Sequence, residues 1–229
     1  MDARITDIFL SIQGEGLYVG QPQLFIRFAG CNLDCDYCDT VKKGGRGYGA
    51  FEILNLISTL NASNAVNTIS ITGGEPLLYT DFLRSILPQL KKRNFKIYLE
   101  TNGTLPASLA KILDFVDIVA MDMKLPSSQK GQRSFWTKHR DFLTLARKKD
   151  VFVKMVITDR TTQGDIKKAV AVIDDIDPRI PLVLQPVTPA NRIRKKPSLD
   201  KLFEFQRLAR TVLDDVRVIP QMHKVLGVK

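Results

Sequence analysis

Three observations predict an α/β fold built as an incomplete parallel β/α barrel. Short β-branched or apolar runs alternate with longer amphipathic segments, the pattern of parallel strands joined by right-handed helical crossovers. Unusual polar residues follow each run, so in a barrel they would share the rim at the C-terminal ends of the strands, where barrel sites are built. An open sheet would instead concentrate them at one switch crevice. The chain's 229 residues fall short of the roughly 250 typical of a full eight-stranded barrel, which argues for an incomplete, splayed one.

In chain order, the runs are Leu24–Phe28, Thr68–Ile71, Lys96–Leu99, Asp117–Met121, Val151–Ile157, Leu182–Leu184 and Val216–Ile219. Helices are predicted near residues 51–60, 81–93, 106–114, 133–148, 163–175 and 198–213. Thr80-Asp81 supplies a start signal for the second helix and Pro197-Ser198 for the last. The polar segments after the runs read CNLDCDYC, TGGEP, ETNG, DMKLPSS, TDR, QPVTP and PQMHK. No repeat or long low-complexity linker interrupts the pattern, so residues 1–229 read as a single domain.

Composition excludes several classes. With 44% hydrophobic and 25% charged residues, the chain is neither disordered nor collagen-like. No apolar run approaches the roughly 20 residues of a membrane span, and MDARITDIF lacks a basic region followed by an apolar core, so no secretory signal is expected. Three cysteines cannot close a disulfide framework, which points to the cytosol. The net charge of +10 is compatible with a nucleic acid, a membrane surface or an anionic partner. Its basic residues, however, lie in short dispersed clusters without aromatic interleaving. They read as solvated faces, with an acidic redox partner in view, and neither membrane nor direct nucleic-acid contact is expected.

All three cysteines fall within eight residues, Cys31, Cys35 and Cys38, spaced C-x3-C-x2-C. As buried small hydrophobes they would rarely cluster so tightly. A structural zinc normally takes four protein ligands, and His139 and His223 are remote in sequence. Three thiolates can hold three irons of a [4Fe–4S] cluster and leave the fourth open for chemistry, whereas four cysteines close it.

The triplet after the first run, with Tyr37 before its last cysteine, resembles the radical S-adenosylmethionine superfamily. So does Thr72-Gly73-Gly74-Glu75-Pro76, which as a bare string would be only a tight turn. That resemblance implies a barrel of the radical SAM type. It also implies a [4Fe–4S] cluster whose open iron binds S-adenosylmethionine, and a 5′-deoxyadenosyl radical released by reductive cleavage. Tyr37, Cys38, Asp39, Gly74 and Glu75 are then expected at the cofactor.

A narrower resemblance spans nearly the whole chain. It runs through Ser11-Ile12-Gln13-Gly14-Glu15-Gly16, Phe25 to Leu33, Cys38-Asp39-Thr40, Glu100 to Gly103, Asp122 to Ser128, Leu184-Gln185-Pro186 and Gln221 to Lys224. These segments are similar to the 7-carboxy-7-deazaguanine synthase family. The family converts 6-carboxy-5,6,7,8-tetrahydropterin to 7-carboxy-7-deazaguanine with release of ammonia, on the way to queuosine, archaeosine and other 7-deazapurines. The resemblance implies S-adenosylmethionine, the cluster and Mg²⁺ as cofactors, a flavodoxin or ferredoxin reductant, and a homodimer.

Residue chemistry can be set beside that reading. A pterin carboxylate needs directional hydrogen bonds and a cation. Ile12, Gln13, Gly14 and Glu15 can bring side-chain and backbone groups to a flat ring edge, and Arg27 offers a fork of donors to the carboxylate. In isolation Arg27 reads as a strand residue in a surface ion pair, and Glu15 as a loop carboxylate. Thr72 and His223 are expected at the substrate too, together with Lys229, although a small or apolar residue would be expected at that terminus. By resemblance Thr40 places its hydroxyl on Mg²⁺, a hard cation that keeps several non-protein ligands; alone it is a turn hydroxyl. Glu100, Asn102, Lys124, Ser127 and Gln185 could each bond the nucleoside or amino-acid part of S-adenosylmethionine, or serve as caps and rim salt bridges. The basic, glycine-rich stretch Val41–Ala50 departs from the family pattern and bears on the covering element or the reductant surface. A glycyl-radical-enzyme activase and a non-enzymatic iron–sulfur protein are the rival readings. The first leaves SIQGEG and Thr40 without a role, and the second lacks a fourth ligand.

Overall fold

The computed structural model describes residues 2–38, 44–63, 66–189 and 192–228. In chain order its elements are β1 (Asp2–Ile12), β2 (Pro22–Phe28), β3 (Arg46–Gly49), α1 (Ala50–Leu60), β4 (Thr68–Gly73), α2 (Thr80–Lys92), β5 (Lys96–Thr101), α3 (Pro106–Ala110), β6 (Ile118–Asp122), α4 (Trp136–Ala146), β7 (Asp150–Ile157), α5 (Gln163–Asp174), β8 (Leu182–Pro186), α6 (Leu199–Arg210), β9 (Val216–Val218) and α7 (Met222–Leu226). They form one nine-stranded sheet in the order β3-β1-β2-β4-β5-β6-β7-β8-β9. From β2 through β9 the neighbours pair in parallel. The sheet is open, with β3 and β9 at its two ends, as an incomplete barrel requires.

Sequence reasoning missed one edge of this sheet. β1 pairs antiparallel with β2, and β3 pairs antiparallel with β1. β1 escapes pattern recognition because its apolar residues are interleaved with Thr6, Asp7 and Ser11, and the register shifts between Ile5 and Asp7. The glycine-rich stretch supplies β3 and the first residue of α1, while residues 41–43 lie outside the described ones. The segment 106–114 holds only the short α3 followed by a 3-10 turn at Leu113–Phe115. Thr80-Asp81 stands inside the first turn of α2, where Thr80 Oγ1 donates to Leu77 O at 2.6 Å instead of capping the helix. Ser198 does cap α6, accepting from Lys201 N.

Strand side chains point alternately to opposite faces, and each face has its own composition here. On the outer face Ile69, Ile71, Ile97, Leu99, Val119, Met121, Val153 and Met155 pack with the helices in the main core. On the inner face Tyr98, Ile118, Ala120, Phe152 and Val183 form a second cluster with Leu17, Tyr18 and Ile219 packed against it. This cluster fills the inside toward the N-terminal ends of the strands. Two residues further along the same rows, the inner face becomes polar: Glu100 after Tyr98, Asp122 after Ala120, Lys154 after Phe152, Gln185 after Val183. No helix among the described residues is long and apolar enough to cross a membrane.

The clearest local stop-and-start signal is at α5. Thr162 Oγ1 accepts from Asp165 N at 3.1 Å, and the Asp165 carboxylate accepts from Thr162 N at 3.3 Å, a reciprocal capping box. Thr162→Ala should therefore cost about 0.5–2 kcal/mol. Thermal unfolding should show a Tm lowered by a few degrees, at ~2–4 °C per kcal/mol for a chain of this size.

Candidate active site

The seven polar segments predicted to follow the strands all lie at strand C-terminal ends, and six of them line one cavity of about 330 Å³; the seventh, Thr158–Arg160, does not line it, and its Arg160 bonds Asp36 of the cysteine loop instead. Its floor is the aromatic cluster, through Tyr98 and Phe152. Its walls hold Cys31, Cys35 and Cys38, which are free thiols. His223, remote from the cysteines in sequence, faces the same cavity from the other end of the chain.

The cysteine loop is held from several sides. Glu75 N donates to Gly30 O, and Gly74 N to Phe28 O, both at 2.9 Å, tying TGGEP to the entrance of the loop. Only glycine fits at 74: a Cβ there would sit 1.7 Å from Gly30 O. Glu75 does not line the cavity. It is fully buried, and its carboxyl accepts from Leu77 N at 3.0 Å, Thr101 Oγ1 at 2.8 Å and Asn102 N at 2.8 Å. Burial pushes its pKa up to about 7, against the pull of those donors. Glu75 thus brackets TGGEP to ETNG, and the part of the motif facing the cavity is Thr72, Gly73 and Gly74.

Asn102, in ETNG, donates through Nδ2 to Asn32 Oδ1 at 2.8 Å and lies 3.8 Å from Cys31 Sγ. Its carbonyl accepts from His139 Nε2 at 3.1 Å, and the fully buried His139 is held neutral, with burial lowering its pKa to about 4. Burial pushes the Cys31 thiol up, opposed by Leu33 N, which points at its sulfur from 3.4 Å.

A second group of side chains gathers around Glu100. Its Oε1 accepts from Gln13 Nε2 at 2.8 Å and Ser70 Oγ at 3.1 Å, and its Oε2 from Thr72 Oγ1 at 2.9 Å. Gln13, 3% exposed, also takes Glu15 N on its own oxygen at 3.0 Å, which fixes the turn after β1.

The third group is a chain of opposite charges that sequence reasoning missed. Glu15 pairs with Lys154, Lys154 lies 3.3 Å from Asp122 Oδ2, and Lys124 reaches the same oxygen at 2.8 Å. Lys124 then donates to Tyr37 OH at 3.0 Å, next to Cys38. Burial alone would raise the carboxyl of Glu15, but Lys154 and a bond from Gln221 hold it down at about 2. Burial opposes charging at Asp122 too, and the two lysines outweigh it. Burial likewise disfavours the charged form of Lys154, yet Glu15 and Asp122 shift its pKa above the usual lysine range. The missed signal was parity: Lys154 is the charged member of the inner row Phe152, Lys154, Val156 inside an apolar run.

Arg27, on the inner row of β2, lies over the Phe9 ring at 5.3 Å, and Phe9 stacks on Phe25 at 5.1 Å. Ile12, Gly14 and Glu15 line the same cavity as the cysteine loop. Glycine is needed at 14 because α7 presses on it: a Cβ would lie 2.5 Å from the His223 ring, and Met222 N donates to Gly14 O at 2.8 Å. Ser127 is outside the cavity lining, its Oγ buried without a protein partner. Asp39, Thr40 and Lys229 lie outside the described residues.

These surroundings suit an iron–sulfur cluster and a polar ligand. Among the described residues no three His, Cys, Asp or Glu side chains converge on a single-ion site, whereas a multi-iron cluster gives each thiolate its own iron. N–H groups point at Cys31 and Cys35 sulfurs. Gln185 Oε1 and Asp122 Oδ1, both buried and both from residues lining the cavity, have no protein partner. Buried polar atoms of that kind are normally satisfied, and a hydrogen-bonding ligand in the cavity would do it.

Comparison with known proteins agrees with this geometry. Residues 25–173 match the family model of the radical SAM superfamily. A 7-carboxy-7-deazaguanine synthase of Geobacter sulfurreducens is 39% identical, with 98% of this chain and 97% of that protein covered. One from Methanothermobacter thermautotrophicus is 35% identical over 100% of this chain and 99% of its own length. Among solved structures, QueE from Escherichia coli has the same fold with a TM-score of 0.65 at 21% identity, covering 97% of this chain and 95% of that one. TYW1 with a lysine-pyruvate adduct bound gives 0.62 at 14% identity, over 83% of this chain and 74% of that one. The rim that carries three thiols at the mouth of an open parallel barrel is thus that of a radical SAM protein, and the chain belongs to the 7-carboxy-7-deazaguanine synthase family.

Proposed function

We propose that this single-domain chain converts 6-carboxy-5,6,7,8-tetrahydropterin to 7-carboxy-7-deazaguanine with release of ammonia, as a cytosolic, homodimeric enzyme. The observation carrying this reading is that Arg27, the Gln13–Glu15 turn and the three cysteines open on one cavity of about 330 Å³, a volume suited to a small molecule and not to a folded partner. Cys31, Cys35 and Cys38 would hold the [4Fe–4S] cluster, with a flavodoxin or ferredoxin as its reductant. When bound, cluster and S-adenosylmethionine would supply radical chemistry for hydrogen abstraction from the substrate.

The chain's own residues bind, orient and exclude water. Gly74, Asn102, Lys124 and Gln185 offer hydrogen bonds to the polar parts of S-adenosylmethionine, with Tyr37 closing the side next to the cysteines. Glu75 acts behind them by fixing the turn. Gln13 and Glu15 present an amide and an ionised carboxylate to the pterin ring edge, and Lys154 keeps Glu15 charged in its buried position. Thr72 and His223 border the same space. Arg27 takes the substrate carboxylate. Thr40 would hold Mg²⁺ and Lys229 would contact the substrate; both are proposed from the family likeness alone.

Anaerobic turnover of reconstituted protein, with mass spectrometry of the small-molecule products, tests the assignment. The carboxypterin should disappear as the deazapurine carboxylate forms, and the decarboxylated analogue should be inert. Arg27→Ala should keep its iron and raise KM roughly 10–100-fold, the loss of a charge-assisted pair of hydrogen bonds. If 5′-deoxyadenosine accumulates while the pterin is untouched, the substrate assignment is wrong.

Lys154→Met would leave Glu15 buried beside an apolar chain. Lys154 and Glu15 are 13% and 20% exposed, so removing one member should cost less than the ~3–5 kcal/mol of a fully buried pair, to be read by chemical denaturation of the iron-free protein near neutral pH. The sign follows from the depressed pKa of Glu15: the pair stabilises the wild type above the ordinary carboxyl range and is lost as pH falls toward about 2. The difference between wild type and variant should accordingly shrink in acid.

Thr40→Ala should retain iron and S-adenosylmethionine binding while losing the Mg²⁺ dependence of turnover. A wild-type rate unchanged by chelation and Mg²⁺ add-back would remove the metal from the proposal.

A further inference from the structure

The cysteine loop meets the segment after β6 at a point that no motif marks. Cys35 and Gln129 form an isolated antiparallel bridge, and Asp36 N donates to Ser128 O at 3.1 Å. At that bridge Gln129 Nε2 lies 3.1 Å from Cys35 Sγ. The approach is closer than either N–H group on Cys31, at 3.4 and 3.8 Å. Gln129 is 5% exposed and sits in extended backbone between two 3-10 turns, with its own N–H bonded to Pro126 O at 3.0 Å.

The far side of the loop is clamped as well. Asp36, 9% exposed, receives Arg192 on Oδ1 at 3.1 Å and Arg160 on Oδ2 at 3.2 Å. Its carbonyl accepts from Arg192 N at 3.2 Å. These contacts come from the segments that follow β7 and β8, and they fix the loop backbone next to Cys35.

A buried amide N–H aimed at a thiol is poorly used, because neutral sulfur is a weak acceptor. Aimed at a thiolate the same group makes a charge-assisted bond. Hydrogen bonds to the sulfurs are among the factors that set iron–sulfur potentials. Reduction adds negative charge to the cluster, so a donor on a ligating sulfur stabilises the reduced state more than the oxidised one.

We propose that Gln129 is a positioning residue that raises the reduction potential of the cluster through its hydrogen bond to Cys35 Sγ. The inference rests on the reading that Cys35 ligates a [4Fe–4S] cluster. Gln129 would then ease delivery of an electron from the reductant without touching either substrate or S-adenosylmethionine.

The test is a potentiometric titration of anaerobically reconstituted wild type, Gln129→Leu and Gln129→Glu, followed by EPR of the reduced cluster, with iron content measured alongside. Gln129→Leu should hold its iron and become harder to reduce. At the wild-type midpoint its oxidised-to-reduced ratio should rise about tenfold, a shift of 59 mV for a one-electron couple. Gln129→Glu, of nearly the same shape, should move further in the same direction because it replaces a donor with a negative group. A role confined to cementing the loop would change iron retention but not the potential. An iron-loaded variant with the wild-type midpoint overturns the proposal. So does loss of iron from both variants, which would make Gln129 a retention residue. Failure of wild type to take up about four irons per chain would instead overturn the cluster reading itself.

Discussion

Alternation of side chains along a strand is the constraint on which this molecule depends. Each parallel strand must send one row of residues to the helices and the other to the inside of the splayed barrel. The outer rows are almost wholly Ile, Leu, Val and Met, and they build the continuous core under the helices. The inner rows change character along their length. Tyr98 gives way to Glu100, Ala120 to Asp122, Phe152 to Lys154 and Val183 to Gln185, so one end is plugged by apolar groups and the other is a polar cup. Because the strands run parallel, all the polar ends fall on the same side.

Polar groups in such a cup are costly unless they satisfy one another. The two solutions here differ. Glu100 is surrounded by neutral donors from Gln13, Ser70 and Thr72. Glu15 and Asp122 are interleaved with Lys154 and Lys124, and the side chains of this chain are only 12–20% exposed. A buried ion chain contributes little net stability against an apolar alternative, but removing one member strands the others. What it supplies is fixed charge already in position, with no reorganisation needed when a ligand enters. The cavity is therefore shaped by electrostatics as much as by packing.

The turns that carry the cysteines depend on close backbone approach. Gly74 lies against Gly30 O, and Glu75 fastens the turn to Asn102 with a carboxyl that burial renders hard to ionise. The Glu of the TGGEP string thus works behind the surface that its glycines present. Such a division could not be read from the string, since both residue types sit within one short turn and only burial separates them.

The fold class and the cysteine loop were legible because they are local. Short β-branched or apolar runs, amphipathic segments between them, and three cysteines within eight residues report chemistry at short range in sequence. The antiparallel β1 was not legible, because its half-buried pattern mixes polar residues among apolar ones and its partner is chosen by the sheet. Lys154 and Gln129 carried no motif either, and Arg160 was marked only as part of a polar segment with no partner: each acquires its place by meeting a residue more than 90 positions away, Glu15, Cys35 and Asp36 respectively. By itself the sequence determined which residue types could bind a cluster and a polar heterocycle, since spacing within a loop sets that. Only the tertiary structure decided which charges neighbour one another, which sulfur receives an amide and which motif residue turns inward. Those outcomes depend on desolvation and on distance between segments, and neither is a property of any segment alone.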